Sequence, residues 1–292
     1  MRTWLTSICL FLALLAGGCA STSSPEVAPA GAPTPATTTH QQTPVPSPSP
    51  ERPSPTATEP ETEPEPSATP AAKPLQGRLI VVDPGHNGKY RKSFNTKKVP
   101  AGNGKKKACN SSGTAGKGLS EHAYNWAQAK LLKTELEKLG AKVLLTREND
   151  SGLGPCVNKR AQVANDAEAD LMISIHADGS YSKKARGFHL IISTTMAGGS
   201  KLEKQSRTLA LNARSALQKL TKMPRSTYIG KGAALSPRSD IATLNLLKQT
   251  PGIMLEAGNM RHSKDLKLLK SSAFRQQVAE ALAQAAVETL TD

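Results

Sequence analysis

Leu79-Ile80-Val81-Val82-Asp83-Pro84-Gly85-His86 opens with four apolar residues, two of them the β-branched pair Val81-Val82, and reads as a short buried strand. Asp-Pro-Gly stops it, because proline fixes φ and glycine tolerates the turn. His86 is left at the C-terminal end of the strand, where open α/β sheets place their ligands. A second apolar run, Leu171-Met172-Ile173-Ser174-Ile175-His176, also ends in a histidine, and a third, Gly252-Ile253-Met254-Leu255-Glu256, ends in a carboxylate. Three strands that deliver such groups to one edge predict a site.

Working outward, Asn87 to Gly118 is rich in Gly, Lys, Asn and Ser and reads as a long loop at the same edge. Within it, Lys105-Lys106-Lys107 reads as a solvated face, with electrostatic capture of substrate as the functional alternative. Ser120 is placed to cap a helix that Gly140 closes, with Ala123, Ala127, Leu131, Leu132, Leu136 and Leu139 as its apolar stripe and Glu121 in its first turn. Lys142 to Thr146 is a strand with Arg147 at its exit, and Asn158 to Glu168 a helix. In that helix Arg160 and Asn165 read as residues that order neighbouring loops, with plain surface placement as the alternative. Gly187 to Ile192 is a strand in which His189 is a packed or surface histidine rather than a ligand. Helices follow over Leu202 to Leu220, Asp265 to Leu269 and Phe274 to Leu290, with a turn of helix near Ile241 to Leu247. Alternating short apolar strands and helices predict one three-layer α/β domain with a central, mostly parallel, twisted sheet flanked by helices.

The chain has 292 residues, and the predicted domain occupies 75–292. Ahead of it, Arg2 and the apolar run Leu5 to Ala16 have the charge and length of an export signal over 1–18. That run is shorter than a membrane span of roughly 20 residues. It closes with Leu15-Ala16-Gly17-Gly18-Cys19, which resembles a bacterial lipoprotein signal and makes Cys19 a candidate for lipidation; plain secretion and an uncleaved anchor are the alternatives. Residues 19–74 are mostly Ser, Thr, Pro, Ala and Glu and hold 15 of the 21 prolines. Such a segment cannot recover the entropy of ordering and reads as a disordered, partly polyproline linker.

Charge is unevenly divided. The first 74 residues carry 3 basic and 6 acidic groups, which leaves 35 basic and 17 acidic, or +18, on the remainder. A domain of that charge is attracted to polyanions. Export points to anionic envelope polymers or membrane headgroups rather than nucleic acid, and the 3% aromatic content also disfavours base stacking. Cys9 lies in the signal and Cys19 directly follows it, so Cys109 and Cys156 are the domain's pair; outside the cytoplasm they predict one disulfide, with two free thiols as the alternative. No heptad argues against a monomer.

His86, Glu121 and His176 together are two imidazoles and a carboxylate, a set that suits Zn²⁺ with one position open for water. Water so bound becomes acidic enough to attack near neutral pH. Glu256, on its own strand, is the candidate general base. Separations of 35 and 55 residues between the ligands are a weak signal alone.

Longer matches give the set its meaning. Val82-Asp83-Pro84-Gly85-His86, Gly118-Leu119-Ser120-Glu121, Arg160 to Asn165, Ala169 to Asp178 and Met254 to Asn259 together resemble the zinc-dependent N-acetylmuramoyl-L-alanine amidases, over Arg78 to Leu290. The loop with Cys109 and its partner Cys156 is similar to the small mycobacterial and actinobacterial members. The resemblance implies that His86, Glu121 and His176 hold zinc, that Glu256 is catalytic, and that the amide between N-acetylmuramic acid and L-alanine in peptidoglycan or its muropeptides is hydrolysed. Asp178 stands where the family usually has Asn, and Asn259 where it often has a bulky residue. Arg238 and Asn245 are candidates for lining the groove that takes the peptide stem, with loop ordering as the alternative for both. Two rival readings are a zinc carboxypeptidase acting on the same polymer and a non-catalytic wall-binding lipoprotein.

Overall fold

A computed structural model describes residues 73–291. The expected export signal over 1–18, Cys19 and all but the last two residues of the expected linker lie outside the described residues. Among the described residues no helix is long and apolar enough to cross a membrane.

In chain order, β1 (Leu79–Pro84) is followed by α1 (Lys92–Thr96), β2 (Lys98–Pro100), β3 (Lys106–Ala108), β4 (Ala115–Gly116) and β5 (Leu119–Ser120). Next come α2 (Glu121–Lys138), β6 (Lys142–Leu145), α3 (Val157–Asp166), β7 (Leu171–Asp178), β8 (His189–Ser193) and α4 (Gly199–Leu220). After a 3₁₀ turn at Gly230–Gly232, β9 (Leu235–Arg238), α5 (Ala242–Asn245), β10 (Gly252–Asn259), α6 (Ser263–Lys270) and α7 (Ser272–Thr291) complete the domain.

The central sheet has the order β6-β1-β7-β10-β8-β9. β6, β1, β7 and β10 are mutually parallel; β8 runs antiparallel to β10, and β9 parallel to β8. Because both faces are covered, the parallel strands need apolar residues at every position, which is why they read as continuous runs. Side-chain alternation divides them between two cores. Ile80, Val82, Ile173, Ile175, Ile253 and Leu255 pack under α2, α4 and α7, whereas Val81, Met172, Ile191 and Met254 pack against α3 and α5.

After β1 the chain moves outward to β6, then returns to β7 on the other side of β1. Right-handed crossovers in opposite directions put α2 and α3 on opposite faces. They also open a crevice at the C-terminal ends of β1 and β7, where doubly wound sheets bind ligands. The site lies there.

Two expectations need correction. Asn87 to Gly118 is not plain loop: it contains α1 and the β2–β3 hairpin. Apolar burial does not signal these elements, since they are held by backbone bonds such as Cys109 N–H to Lys97 O (2.8 Å) and by the disulfide between Cys109 and Cys156. In α2 the buried line is Tyr124, Asn125, Gln128, Ala129, Leu132 and Leu136, while Ala123, Ala127 and Leu131 are only partly covered. Asn125 and Gln128 tolerate burial because their amides donate to Gly85 O (3.2 Å) and Arg275 O (2.9 Å).

Candidate active site

His86 follows the end of β1 in a left-handed conformation, φ 59°. A non-glycine residue there needs support, and Arg160 supplies it. Arg160 is 1% exposed, and its guanidinium donates to Asp83 Oδ1 (2.5 Å), Pro84 O (2.8 Å), His86 O (2.7 Å) and Asn87 Oδ1 (2.7 Å). Thr146 and Ser174 hydroxyls donate to the same Asp83 carboxylate. Burial pushes that carboxyl up, but Arg160 and the two hydroxyls outweigh it and hold Asp83 below its ordinary range. Arg147, also buried, ties the same turn to α2, donating from Nε to Pro84 O and from Nη2 to His122 O, both at 2.9 Å. Arg160 and Asn165 are thus structural, as read; Asn165 donates to Leu246 O at 2.9 Å.

Glu121 begins α2. Ser120 occupies the cap position, but its hydroxyl meets His122 Nε2 at 2.9 Å instead of capping the helix. Glu121 Oε2 accepts from Thr114 N–H (2.8 Å), while Oε1 lies 3.0 Å from His86 Nε2 and 2.9 Å from His176 Nδ1. His176 ends the apolar part of β7, and Gly85 is what lets it close in: a Cβ there would fall 2.1 Å from His176 Nε2.

The three residues expected as ligands therefore converge, with one donor atom from each within 4.8 Å of the others. Their chemistry fits a cation. His86 Nδ1 faces the Ser111 carbonyl at 3.0 Å, and a carbonyl only accepts, so the proton belongs on Nδ1 and the Nε2 lone pair points at the carboxylate. Two electron-rich atoms facing one another are the arrangement a metal ion resolves, and a histidine oriented by a carbonyl on its other nitrogen is the usual ligand form. The charges agree. Burial opposes ionisation of Glu121, yet its two imidazole partners drive its pKa far below the usual carboxylate range. Burial lowers His176, and the same effect in His86 is outweighed by Glu121, which leaves His86 raised.

Glu256 stands beside His176 because β10 and β7 pair in register at those two residues, so both side chains project from one face. Among the described residues its buried Oε2 has no hydrogen-bond partner. Burial first, then the charges of Glu121 and Asp178, raise its pKa well above the ordinary value, with Arg238 opposing. An unpaired, high-pKa carboxylate in a cavity next to a candidate metal centre has the properties of a general base.

These groups line a cavity of about 390 Å³. Arg238 is on its wall, in a bidentate pair with Asp240 (2.7 and 2.6 Å), and Lys107 joins it by donating to Asp240 O at 2.8 Å. Lys107 is thus part of the site rather than of a solvated face. Asn245 is not in the cavity. Fully buried, it spends its side chain on Ser193 Oγ, Ala101 O and Ser239 O (2.7–2.8 Å), which is loop ordering. His189 is packed in β8, as expected, and burial lowers its pKa to about 4. Asp178 lines the cavity and accepts from Tyr228 Oη at 2.6 Å.

Comparison with known proteins agrees with this geometry. The family model for N-acetylmuramoyl-L-alanine amidase matches residues 80–288. The chain belongs to that family. It is similar to the N-acetylmuramoyl-L-alanine amidase Rv3717 of Mycobacterium tuberculosis, at 39% identity over 217 residues that cover 74% of this chain and 87% of the relative. The crystal structure of the N-acetylmuramyl-L-alanine amidase Ami1 from Mycobacterium smegmatis superposes with a TM-score of 0.70 at 38% identity, covering 74% of this chain and 98% of that one. A Staphylococcus saprophyticus protein named Probable cell wall amidase LytH is 29% identical over 74% of this chain and 59% of its own length.

Proposed function

We propose that this protein hydrolyses the amide between N-acetylmuramic acid and L-alanine in peptidoglycan, with His86, Glu121 and His176 holding Zn²⁺ and Glu256 as general base. The observation that carries this reading is the in-register pairing of Glu256 with His176, which sets an unpaired buried carboxylate beside the convergent ligand trio. Zinc supplies Lewis acidity to water and to the scissile carbonyl. The protein's own residues do the rest. Glu256 takes a proton from the attacking water as the oxygen bonds to the lactyl carbonyl carbon, then delivers it to the alanine nitrogen as the C–N bond breaks. Arg160 and Arg147 hold His86 and the start of α2 so that the ligands need not reorganise. Arg238 and Lys107 offer cationic hydrogen-bond donors to a stem carboxylate.

The same reading makes this an exported enzyme that acts on the cell wall, held to a membrane where Cys19 carries lipid, working as a monomer and drawn to anionic envelope polymers by its basic domain. Incubating the purified chain with muramoyl peptides and weighing the fragments tests the reaction. New L-alanine amino termini that vanish on chelation support the proposal; cleavage between D-residues points instead to a carboxypeptidase.

A further inference from the structure

Aromatic side chains are scarce here, and most of those in the domain are occupied. Tyr124, Phe188 and Phe274 are buried, Tyr228 is bound to Asp178, and Tyr90 is half-exposed with its hydroxyl held by Asn95. Tyr181 is 82% exposed. It lies three residues beyond Asp178, on the loop that leaves β7 at the cavity rim.

That loop is fixed in place. Asn259, buried at the end of β10, donates from Nδ2 to Ser180 O (3.0 Å) and Ala185 O (2.7 Å), which bracket Tyr181 on both sides. Ala185 N–H closes a further bond to Ser182 O at 3.0 Å. The Arg261 guanidinium sits 4.0 Å from the Tyr181 ring centroid, a cation–π contact that steadies the ring from one side. An aromatic ring held rigidly in water, with most of its surface open, forgoes burial of its apolar area unless a ligand covers it.

We infer that Tyr181, backed by Arg261, is a sugar-binding platform on which a pyranose of the glycan strand packs its C–H face beside the cavity. This rests on the amidase reading and extends it, because the scissile amide joins two chemically different parts. Its peptide carries carboxylates, which suit the Lys107 and Arg238 wall built from β3 and β9. Its glycan is neutral in its rings, with apolar C–H faces, which suit a flat aromatic surface offered by the exits of β7 and β10. The platform selects amides borne on a glycan chain over those on an isolated muramic acid.

The test uses the full chain, zinc-loaded, as wild type, Tyr181→Ala and Tyr181→Trp. Each is assayed on a single-sugar muramoyl peptide and on the same peptide carried by a short glycan oligomer. Tyr181→Ala is expected to raise KM for the oligomer about fivefold to tenfold, the worth of one aromatic contact. It leaves the single-sugar substrate unchanged, and Tyr181→Trp retains the oligomer KM. Titration with a peptide-free glycan oligomer gives the same ranking of affinities. Equal losses on both substrates, or unchanged oligomer KM and glycan affinity in Tyr181→Ala, overturn the inference. Should the wild type cleave no muramoyl peptide, the amidase reading falls, whereas the glycan titration still judges Tyr181 independently.

Discussion

Replacing Arg160 by Met removes a buried guanidinium that makes four hydrogen bonds of 2.5–2.8 Å to the β1 turn. Asp83, 1% exposed, keeps only the hydroxyls of Thr146 and Ser174, and His86 O loses its donor. An uncompensated buried charge costs about 3–5 kcal/mol, which in a domain of this size lowers Tm by roughly 10 °C. Adding Asp83→Asn to the Met variant removes the stranded charge and recovers about 2 kcal/mol. The sign with pH also follows. Asp83 has a lowered folded-state pKa, so its contribution is complete above its unfolded value near 4 and is lost as pH falls through the folded one. Arg160→Met lacks that acid-sensitive component. Urea denaturation of the single and double variants, with zinc affinity by competition titration, measures both consequences. Because His86 loses its orienting contact, zinc binding weakens about tenfold. A loss below about 1 kcal/mol, or a double variant no more stable than the single one, refutes the reasoning.

Glu256→Gln lowers kcat by about a thousandfold, within the range for loss of a general base. It also stabilises the metal-free protein near pH 7 by about 1–2 kcal/mol: a raised folded-state pKa means that stability falls as pH climbs from the unfolded value toward the folded one. A general base acts only when ionised, so wild-type kcat/KM falls as pH is lowered through the Glu256 pKa, and pH–rate profiles and thermal melts check the two signs. Zinc at a thousand times its Kd raises the stability of the apoprotein by about 4 kcal/mol; calorimetry should show the increase in wild type and none in His176→Ala. Cys109→Ser frees a loop of 47 residues and costs about 4 kcal/mol by loop entropy, read by urea unfolding with and without reductant.

The parallel strands were legible because β1, β7 and β10 are buried on both faces and therefore apolar at nearly every position. His86, His176 and Glu256 are visible because each closes one of these apolar runs. Grouping them with Glu121 depended on family resemblance, since separations of 35 and 55 residues carry no local period. The hairpin before Cys109 was illegible because backbone ladders and a covalent link maintain it, with Val99 alone buried within its two strands. Asn125 and Gln128 hid the true buried face of α2: a polar residue enters a core only where a distant carbonyl awaits it, and sequence does not show where that carbonyl lies. Asn125 stands four residues after Glu121, a spacing that does place it on the same helix face. The same limit separates Arg238, which reached the cavity wall, from Asn245, which did not.

Hydrolysis of a muramoyl peptide in ¹⁸O-enriched water by the zinc-loaded protein tests the central claim most directly. One ¹⁸O is expected in the lactyl carboxylate of muramic acid, with an unlabelled peptide bearing a free L-alanine amine and no incorporation with Glu256→Gln. Label in a peptide carboxylate, or undiminished incorporation without Glu256, would contradict that claim.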